Sequence, residues 1–424
     1  MKVALAYGKG RHVVEIPDHV HAEVVEPQYL EGMPDQLQAV RDALNNPIGH
    51  APLSSAVKRG QKVAILFSDI TRATPYHILV PALLDSLSHI PDHDITFFCA
   101  TGTHRDATKE ELVTILGKQV TERFRIVQNE ATHHASHQHV GTTASGNRIM
   151  LNKELLEHDL RILTGFIEPH LFAGFSGGGK ALMPGMAHVE TIRHNHSLRN
   201  LEHPKARWGY TQGNPIWEEV MEAAELAAPV YLLNITLNKD KEITGVFAGD
   251  LRLAHQQGCV KAREAAMVGL DKPFDVVITS NSGYPLDLNV YQSVKGMSAA
   301  ERVLRKGGTI ILAAECWDGI PAGSDYETIL TSVGSVKELM GFIKNHELDL
   351  KDTWQVFFQA MIQMKAEVYL FSGLDPETVL STHLKPVEDM NHLILMLVEK
   401  YGPDTRICIL PEGPHTIPYL EGNT

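Results

Sequence analysis

The chain has 424 residues, enough for two or three domains with sizeable cores. Its 38 Lys and Arg against 51 Asp and Glu leave a formal net charge of −13 without a long basic run, so nucleic-acid binding is not indicated. Four widely spaced cysteines (Cys99, Cys259, Cys316, Cys408), an opening too short in apolar residues for a signal peptide, and no run near the roughly 20 apolar residues that span a bilayer predict a reduced, cytoplasmic protein without a membrane partner.

Residues 2–7 and 12–16 alternate apolar and polar around Gly8-Lys9-Gly10, which reads as a hairpin. From residue 61 the pattern becomes apolar strand, short loop, helix. Val63 to Phe67 is a buried-strand run ending in Ser68-Asp69, and Pro75 to Leu87 is a helix with proline near its first turn. Ile95 to Ala100 is a second strand, ending in Thr101-Gly102-Thr103-His104; Leu160 to Phe166 is another, ending in Glu168-Pro169-His170. Apolar strands alternating with helices predict an α/β protein with mostly parallel sheets, in which ligands sit at the carboxyl ends of strands. Asp69, Arg72, His104 and His170 all fall just beyond such ends, which argues for one site.

Near residue 270 the pattern restarts. Phe274 to Thr279 is a strand, Ser293 to Arg305 is helical, and Gly307-Gly308 leads into a strand from Thr309 to Ala313. Asp271-Lys272-Pro273 is the boundary. The last strand, Arg406 to Leu410, fits either sheet. The expected organisation is an N-terminal cofactor-binding α/β domain over residues 1–270, rejoined by 400–424, and a C-terminal α/β domain over 271–399. No internal repeat is visible. The G-x-G-x-x-G dinucleotide fingerprint is absent, because Gly8 and Gly10 have Val13 at the third position.

The densest segment runs from Glu168 to Gly185, E-P-H-L-F-A-G-F-S-G-G-G-K-A-L-M-P-G, with H-N-H-S following at His194 to Ser197. Gly174, Gly177, Gly178 and Gly179 precede Lys180. Glycine lets backbone approach a ligand closely and tolerates positive φ. A lysine after such a run is a phosphate contact or an amine for covalent chemistry. Gly174 to Lys180 fits the phosphate-binding loop G-x-x-x-x-G-K, but Ala181 stands where a Mg²⁺-ligating hydroxyl is required, and Pro184 fits poorly with a long phosphate-capping helix. The segment therefore reads as a nucleotide or cofactor cradle; a tight packed turn with a solvated lysine is the plainer alternative.

Asp69-Ile70-Thr71-Arg72-Ala73-Thr74-Pro75 sets an acid, an arginine and two hydroxyls on a strand-to-helix loop. Arginine recognises carboxylate bidentately, and helix capping is the plainer reading. His104 and His170 suit a paired acid and base, because imidazole titrates near neutrality; satisfied surface histidines are the alternative. His194-x-His196 is a weak metal pair. His133, His134, His137 and His139 are denser but sit in a polar segment, which reads as a solvated loop or helix face. Gln292 and Lys295 share a helix face by i,i+3 spacing.

Together, D-x-T-R-x-T-P, T-G-T-H-R, E-P-H-x-x-A-G-F-S-G-G-G-K, N-H-S and Y-Q-S-V-K-G resemble the nickel-dependent lactate racemase family, in order and over almost the whole chain. The resemblance implies two α/β domains with the active site in the interdomain cleft. It implies nickel and a nickel-pincer nucleotide, pyridinium-3-thioamide-5-thiocarboxylic acid mononucleotide, covalently bound to Lys180. His196 would ligate nickel; His104 and His170 would be the catalytic acid/base pair. Arg72, Gln292 and Lys295 would bind substrate. Asp69, Gly177 and Gly178 would help hold the cofactor, with Asp69 alternatively orienting Arg72. Tyr291 and Trp354 are candidates for shaping the substrate side-chain pocket.

The implied activity is that of an isomerase, a racemase or epimerase inverting the α-carbon of a lactate-like 2-hydroxycarboxylic acid by hydride transfer to and from the cofactor. Cofactor-assembly enzymes are the implied partners. Two alternatives stand beside it: epimerisation of a larger 2-hydroxy acid (a sugar acid, malate or an aryl-lactate), and a nickel- or cofactor-binding protein without turnover. The paired histidines and Arg72 argue against the last, since a carrier needs no acid/base pair.

Overall fold

The computed structural model describes residues 1–345 and 353–422. The chain forms two compact units, Tyr29–Ala265 and a second built from Met1–Gln28 with the chain from Ala266 onward. The Tyr29–Ala265 unit carries a six-stranded sheet in the order Ile243–Gly249, Val230–Leu237, Leu160–Phe166, Val63–Phe67, Ile95–Cys99, Arg125–Gln128. Every pairing is parallel except that of the edge strand Ile243–Gly249.

Strand side chains alternate between faces. Val63, Ile65, Phe67 and Phe97 enter a core completed by the helices Gln36–Asn45 and Tyr76–Ser86. Ala64, Leu66, Phe98 and Leu163 enter another, completed by Val189–Asn195 and Pro215–Leu226. Both faces are covered, which is why these strands read as unbroken apolar runs. Each fully buried Leu or Phe stabilises the fold by about 1.5–3 kcal/mol.

The second unit has its own six-stranded sheet, ordered Lys385–Pro386, Glu367–Phe371, Leu304–Ala313, Phe274–Ser280, Arg406–Leu410, His21–Val24, with all pairings parallel. The hairpin Lys2–Tyr7 with Gly10–Glu15 forms as expected. It sends Val3, Leu5 and Val14 into a core with Ile278, Ile311 and Leu393.

Four boundaries differ from expectation. Arg406–Leu410 lies between Phe274–Ser280 and His21–Val24, so residues 400–422 belong with the second unit and do not rejoin the first. The N-terminal 28 residues join them there. A buried apolar strand carries no mark of which sheet it completes, and only long-range pairing decides. The helix after Phe274–Ser280 runs Val290–Glu301, ahead of the expected Ser293–Arg305, because the Asn289 side chain caps it by accepting from Gln292 N at 3.0 Å. The next strand starts at Leu304, and Gly307-Gly308 lies inside it near a register shift of its partner at Phe274/Val276.

The four buried cysteines are free thiols. Among the described residues, no helix is long and apolar enough to cross a membrane.

Beyond Phe166, Pro169–His170 pairs antiparallel with Gly174–Phe175, folding the chain back over the strand end. Gly174 has φ +77°, and a Cβ there would lie 1.8 Å from the Tyr210 carbonyl oxygen. Gly174→Ala should therefore destabilise the protein by at least about 1 kcal/mol, from left-handed strain plus the collision. Urea unfolding checks this; an unchanged midpoint with an unchanged slope contradicts it.

Candidate active site

Three loops bring the predicted residues of the Tyr29–Ala265 unit to the carboxyl ends of adjacent parallel strands. After Val63–Phe67, buried Asp69 accepts from the Thr71 hydroxyl at 2.5 Å and the Thr71 amide at 3.1 Å. Its other oxygen lies 2.6 Å from His104 Nδ1, on the loop after Ile95–Cys99. Burial works to raise the Asp69 pKa, but the bonds from His104 and Thr71 outweigh it and hold the carboxyl below its ordinary value. Asp69 thus serves His104, and the guanidinium of Arg72 instead meets Glu168 Oε1 at 3.0 Å.

A carboxylate can only accept, so His104 donates from Nδ1 and its Nε2 carries the lone pair. His170 is wired the opposite way. Its Nδ1 accepts from the amides of Ala173 at 3.2 Å and Phe172 at 3.4 Å, so the neutral ring carries its proton on Nε2.

Phe172 ties the rest together. Its ring meets His170 edge-on at 4.7 Å and His196 edge-on at 5.0 Å between centroids, and Lys180 Nζ lies 6.0 Å from its centre. Lys180 sits in a single 3-10 turn, Gly178–Ala181, as Pro184 foreshadowed. Burial, then the nearby charge of Arg72, pushes its pKa down to about 7. His196 donates from Nδ1 to the Ile192 carbonyl at 2.9 Å, which leaves the ring's lone pair on Nε2. Burial, then Lys180, pushes its pKa down to about 4, so the imidazole stays neutral, as a metal ligand must be.

The glycines are needed for space. Gly177 and Gly178 have φ +74° and +59°. A Cβ on Gly177 would sit 2.4 Å from the Asn234 side-chain oxygen, and one on Gly178 would sit 2.9 Å from the His255 ring. Those neighbours also bond the loop: Asn234 Oδ1 accepts from Gly178 N at 2.7 Å, and His255 Nε2 donates to Ser176 O at 2.9 Å. Sequence reading missed Asn234, His255, Phe172 and Glu168. Asn234 left a signal, a single amide inside the apolar run Val230–Leu237. His255 left none.

The remaining candidates separate. Tyr291, Gln292 and Lys295 lie on the helix Val290–Glu301 of the second unit, and Trp354 lies on Thr353–Gln363 there. His194 does not pair with His196; its Nδ1 faces Glu219 at 3.7 Å. Of the histidine cluster, His133, His134 and His139 are exposed as expected, but His137 is buried at a strand start and bonds the His133 carbonyl at 3.0 Å. Its ring and that of His134 each pack on His188, which caps Val189–Asn195. Among the described residues, no three His, Cys, Asp or Glu converge as a metal site. A cavity of about 740 Å³ opens toward the amino ends of the strands, lined by Asp92, Thr96, Arg125 and Glu154 among others; of the candidate residues, only His133 of the histidine cluster lines it. Its arginines are neutralised, Arg125 by Glu154 and Arg123 by Asp92.

A mostly parallel α/β fold that gathers histidines, an arginine and a lysine at its strand ends has the form of an enzyme site, and comparison with known proteins gives the class and the family. Residues 7–209 match the lactate racemase N-terminal domain, and 270–417 match the lactate racemase C-terminal domain. Lactate racemase of Lactiplantibacillus plantarum is 35% identical over 97% of this chain and 98% of its own length. That of Thermoanaerobacterium thermosaccharolyticum is 33% identical over 98% of each. The solved apoprotein of the latter organism's lactate racemase superposes with a TM-score of 0.91 at 33% identity, covering 99% of this chain and all of that one. A Thermotoga maritima protein, 20% identical with a TM-score of 0.68, shares the fold. The chain belongs to the lactate racemase family and is an isomerase.

The depressed Lys180 pKa has a consequence for stability. Below pH 7 the folded protein holds a half-buried ammonium; between about 7 and 10.5 the unfolded chain binds the extra proton, so stability rises with pH across that window. Lys180→Met should stabilise the cofactor-free protein, more at pH 6 than at pH 9. Denaturation at the two pH values measures this, and an equal gain at both contradicts the shift.

Proposed function

We propose that the chain inverts the α-carbon of a lactate-like 2-hydroxycarboxylic acid, using a nickel-pincer nucleotide tethered through Lys180 with nickel held by His196. The observation that carries this reading is the packing of Lys180, His170 and His196 around the one ring of Phe172. The residues fit such a group: a half-buried amine of lowered proton affinity suits covalent attachment, a neutral imidazole with its lone pair on Nε2 suits one metal bond, and glycine backbone at 177 and 178 lets a nucleotide approach closely. His196 would hold the metal by one bond, with its remaining ligands coming from the nucleotide, and the bound group would supply a hydride acceptor for the α-carbon.

The chain's own residues do the rest. His104, with its lone pair on Nε2 and Asp69 behind it, is set to receive a hydroxyl proton. His170 presents an N–H from Nε2. To take up a proton there on behalf of the opposite enantiomer, His170 must turn Nδ1 away from the amides of Phe172 and Ala173, and bonds of 3.2 and 3.4 Å are weak enough to exchange. Arg72, held by Glu168 in this state, exchanges that carboxylate for the substrate's. Gln292 and Lys295 add to substrate binding, and Tyr291 and Trp354 to the side-chain pocket. Asp69, Gly177 and Gly178 steady the cofactor. Cofactor-assembly enzymes are the partners, and the cytoplasm is the compartment.

The protein co-produced with cofactor-assembly enzymes should carry a mass adduct on the Lys180 peptide. An active, cofactor-loaded Lys180→Ala variant sinks the assignment. His104→Ala and His170→Ala should each lose about 10²–10⁴-fold in kcat with cofactor retained; near-parental turnover in either refutes the two-base scheme. Substrate deuterated at the α-carbon should react more slowly and keep its label, whereas washout into solvent indicates proton abstraction. Turnover of lactate, malate, phenyllactate and gluconate then ranks the substrates.

A further inference from the structure

Glu219, on the helix Pro215–Leu226, takes no part in this chemistry and is 3% exposed. Its carboxylate accepts from four neutral side chains. Oε1 takes the Thr143 hydroxyl at 3.1 Å and the Ser145 hydroxyl; Oε2 takes Asn147 Nδ2 at 2.9 Å and Asn195 Nδ2 at 2.8 Å. Among the described residues, the basic group within 4 Å is His194, whose Nδ1 lies 3.7 Å from Oε1 and makes no hydrogen bond. A buried carboxylate without a close cation is costly, and four donors are what makes it tolerable.

The donors on Oε1 and Asn147 come from the turn between His137–Thr142 and Arg148–Asn152. Asn195 comes from the end of Val189–Asn195, immediately before His196. Asn195 is fully buried, and its carbonyl accepts from Asn200 Nδ2 at 3.0 Å. The segment is thus gripped at its side chain by Glu219 and at its backbone by Asn200, while Ile192 O fixes the next ring. Asn195 Oδ1 is buried without a hydrogen bond, and its Nδ2 also donates to the Ile216 carbonyl at 3.3 Å, so the shorter, charge-assisted bond to Glu219 is the stronger hold on that side chain.

We infer that Glu219 is a positioning residue for His196, acting through Asn195 to aim the imidazole Nε2 at the metal. The inference rests on the reading that His196 holds nickel. Partners that orient a metal-bound histidine typically change affinity or activity about 10–100-fold when removed.

Protein co-produced with cofactor-assembly enzymes tests it by nickel per chain, the absorption spectrum of the bound metal and the melting temperature. Glu219→Ala and Asn195→Ala should lower nickel affinity about 10–100-fold and shift the spectrum while circular dichroism shows a folded chain. Glu219→Gln should rescue both, since its amide oxygen can accept from the asparagines and its NH₂ can donate to hydroxyls that turn to accept. Thr143→Val with Ser145→Ala removes the hydroxyl bonds to Oε1 while leaving the Asn195 bond to Oε2 intact, and should leave the spectrum unchanged. A folded Glu219→Ala with parental nickel content and spectrum overturns the inference, as does a Thr143/Ser145 variant that shifts the spectrum as much as Asn195→Ala. Where Glu219→Ala fails to fold, an unshifted Asn195→Ala overturns it. Parental nickel and spectrum in His196→Ala instead overturns the ligand assignment itself.

Discussion

The half-buried position of Lys180 is the constraint on which the site depends. An ammonium partly removed from water loses solvation, and the neighbouring guanidinium of Arg72 penalises it further. The loop that carries it must turn through left-handed backbone while lying against the sheet, and glycine at 177 and 178 meets both demands because Asn234 and His255 fill the space of any Cβ. Those residues also hold the loop by one hydrogen bond each. His255 remains neutral in this role because burial lowers its pKa to about 4. The loop that bears the amine is therefore held by packing and neutral hydrogen bonds.

Around it, three carboxylates each hold a different group. Asp69 fixes the His104 tautomer, Glu168 occupies Arg72, and Glu219 anchors Asn195. A buried or half-buried carboxylate orients its donor because a charge-assisted hydrogen bond in low dielectric tolerates little misalignment. His104 and His170 consequently differ in kind: the ring of one is oriented by a charged acceptor and that of the other by two backbone amides.

The scaffold makes this possible through the parallel sheet. The central strands of the Tyr29–Ala265 unit are sealed on both faces by separate cores, leaving their carboxyl ends as the place where polar loops can gather. Ser68 to Arg72, Thr101 to His104 and Glu168 to Lys180 all leave the sheet there. The second unit repeats the arrangement with a sheet parallel throughout, and the loop ending at Asn289 caps the helix that bears Gln292 and Lys295.

By itself the sequence determined the fold class and most strands, because a strand covered on both faces reads as a nearly continuous apolar run, as Val63–Phe67 does throughout and Leu160–Phe166 does apart from Arg161 and Thr164. It also marked the loop residues at strand ends, and its motifs carried the family. Tertiary structure decided what depends on partners distant in the chain. Arg406–Leu410 could join either sheet until its neighbours His21–Val24 and Phe274–Ser280 were known. Asp69 turned to His104, not to Arg72, since a loop carboxylate chooses its donor only in three dimensions. Glu219 and His255 sit in helices whose apolar spacing treats them as ordinary polar positions, and their burial against the loops of His196 and Lys180 comes from packing that no local pattern encodes.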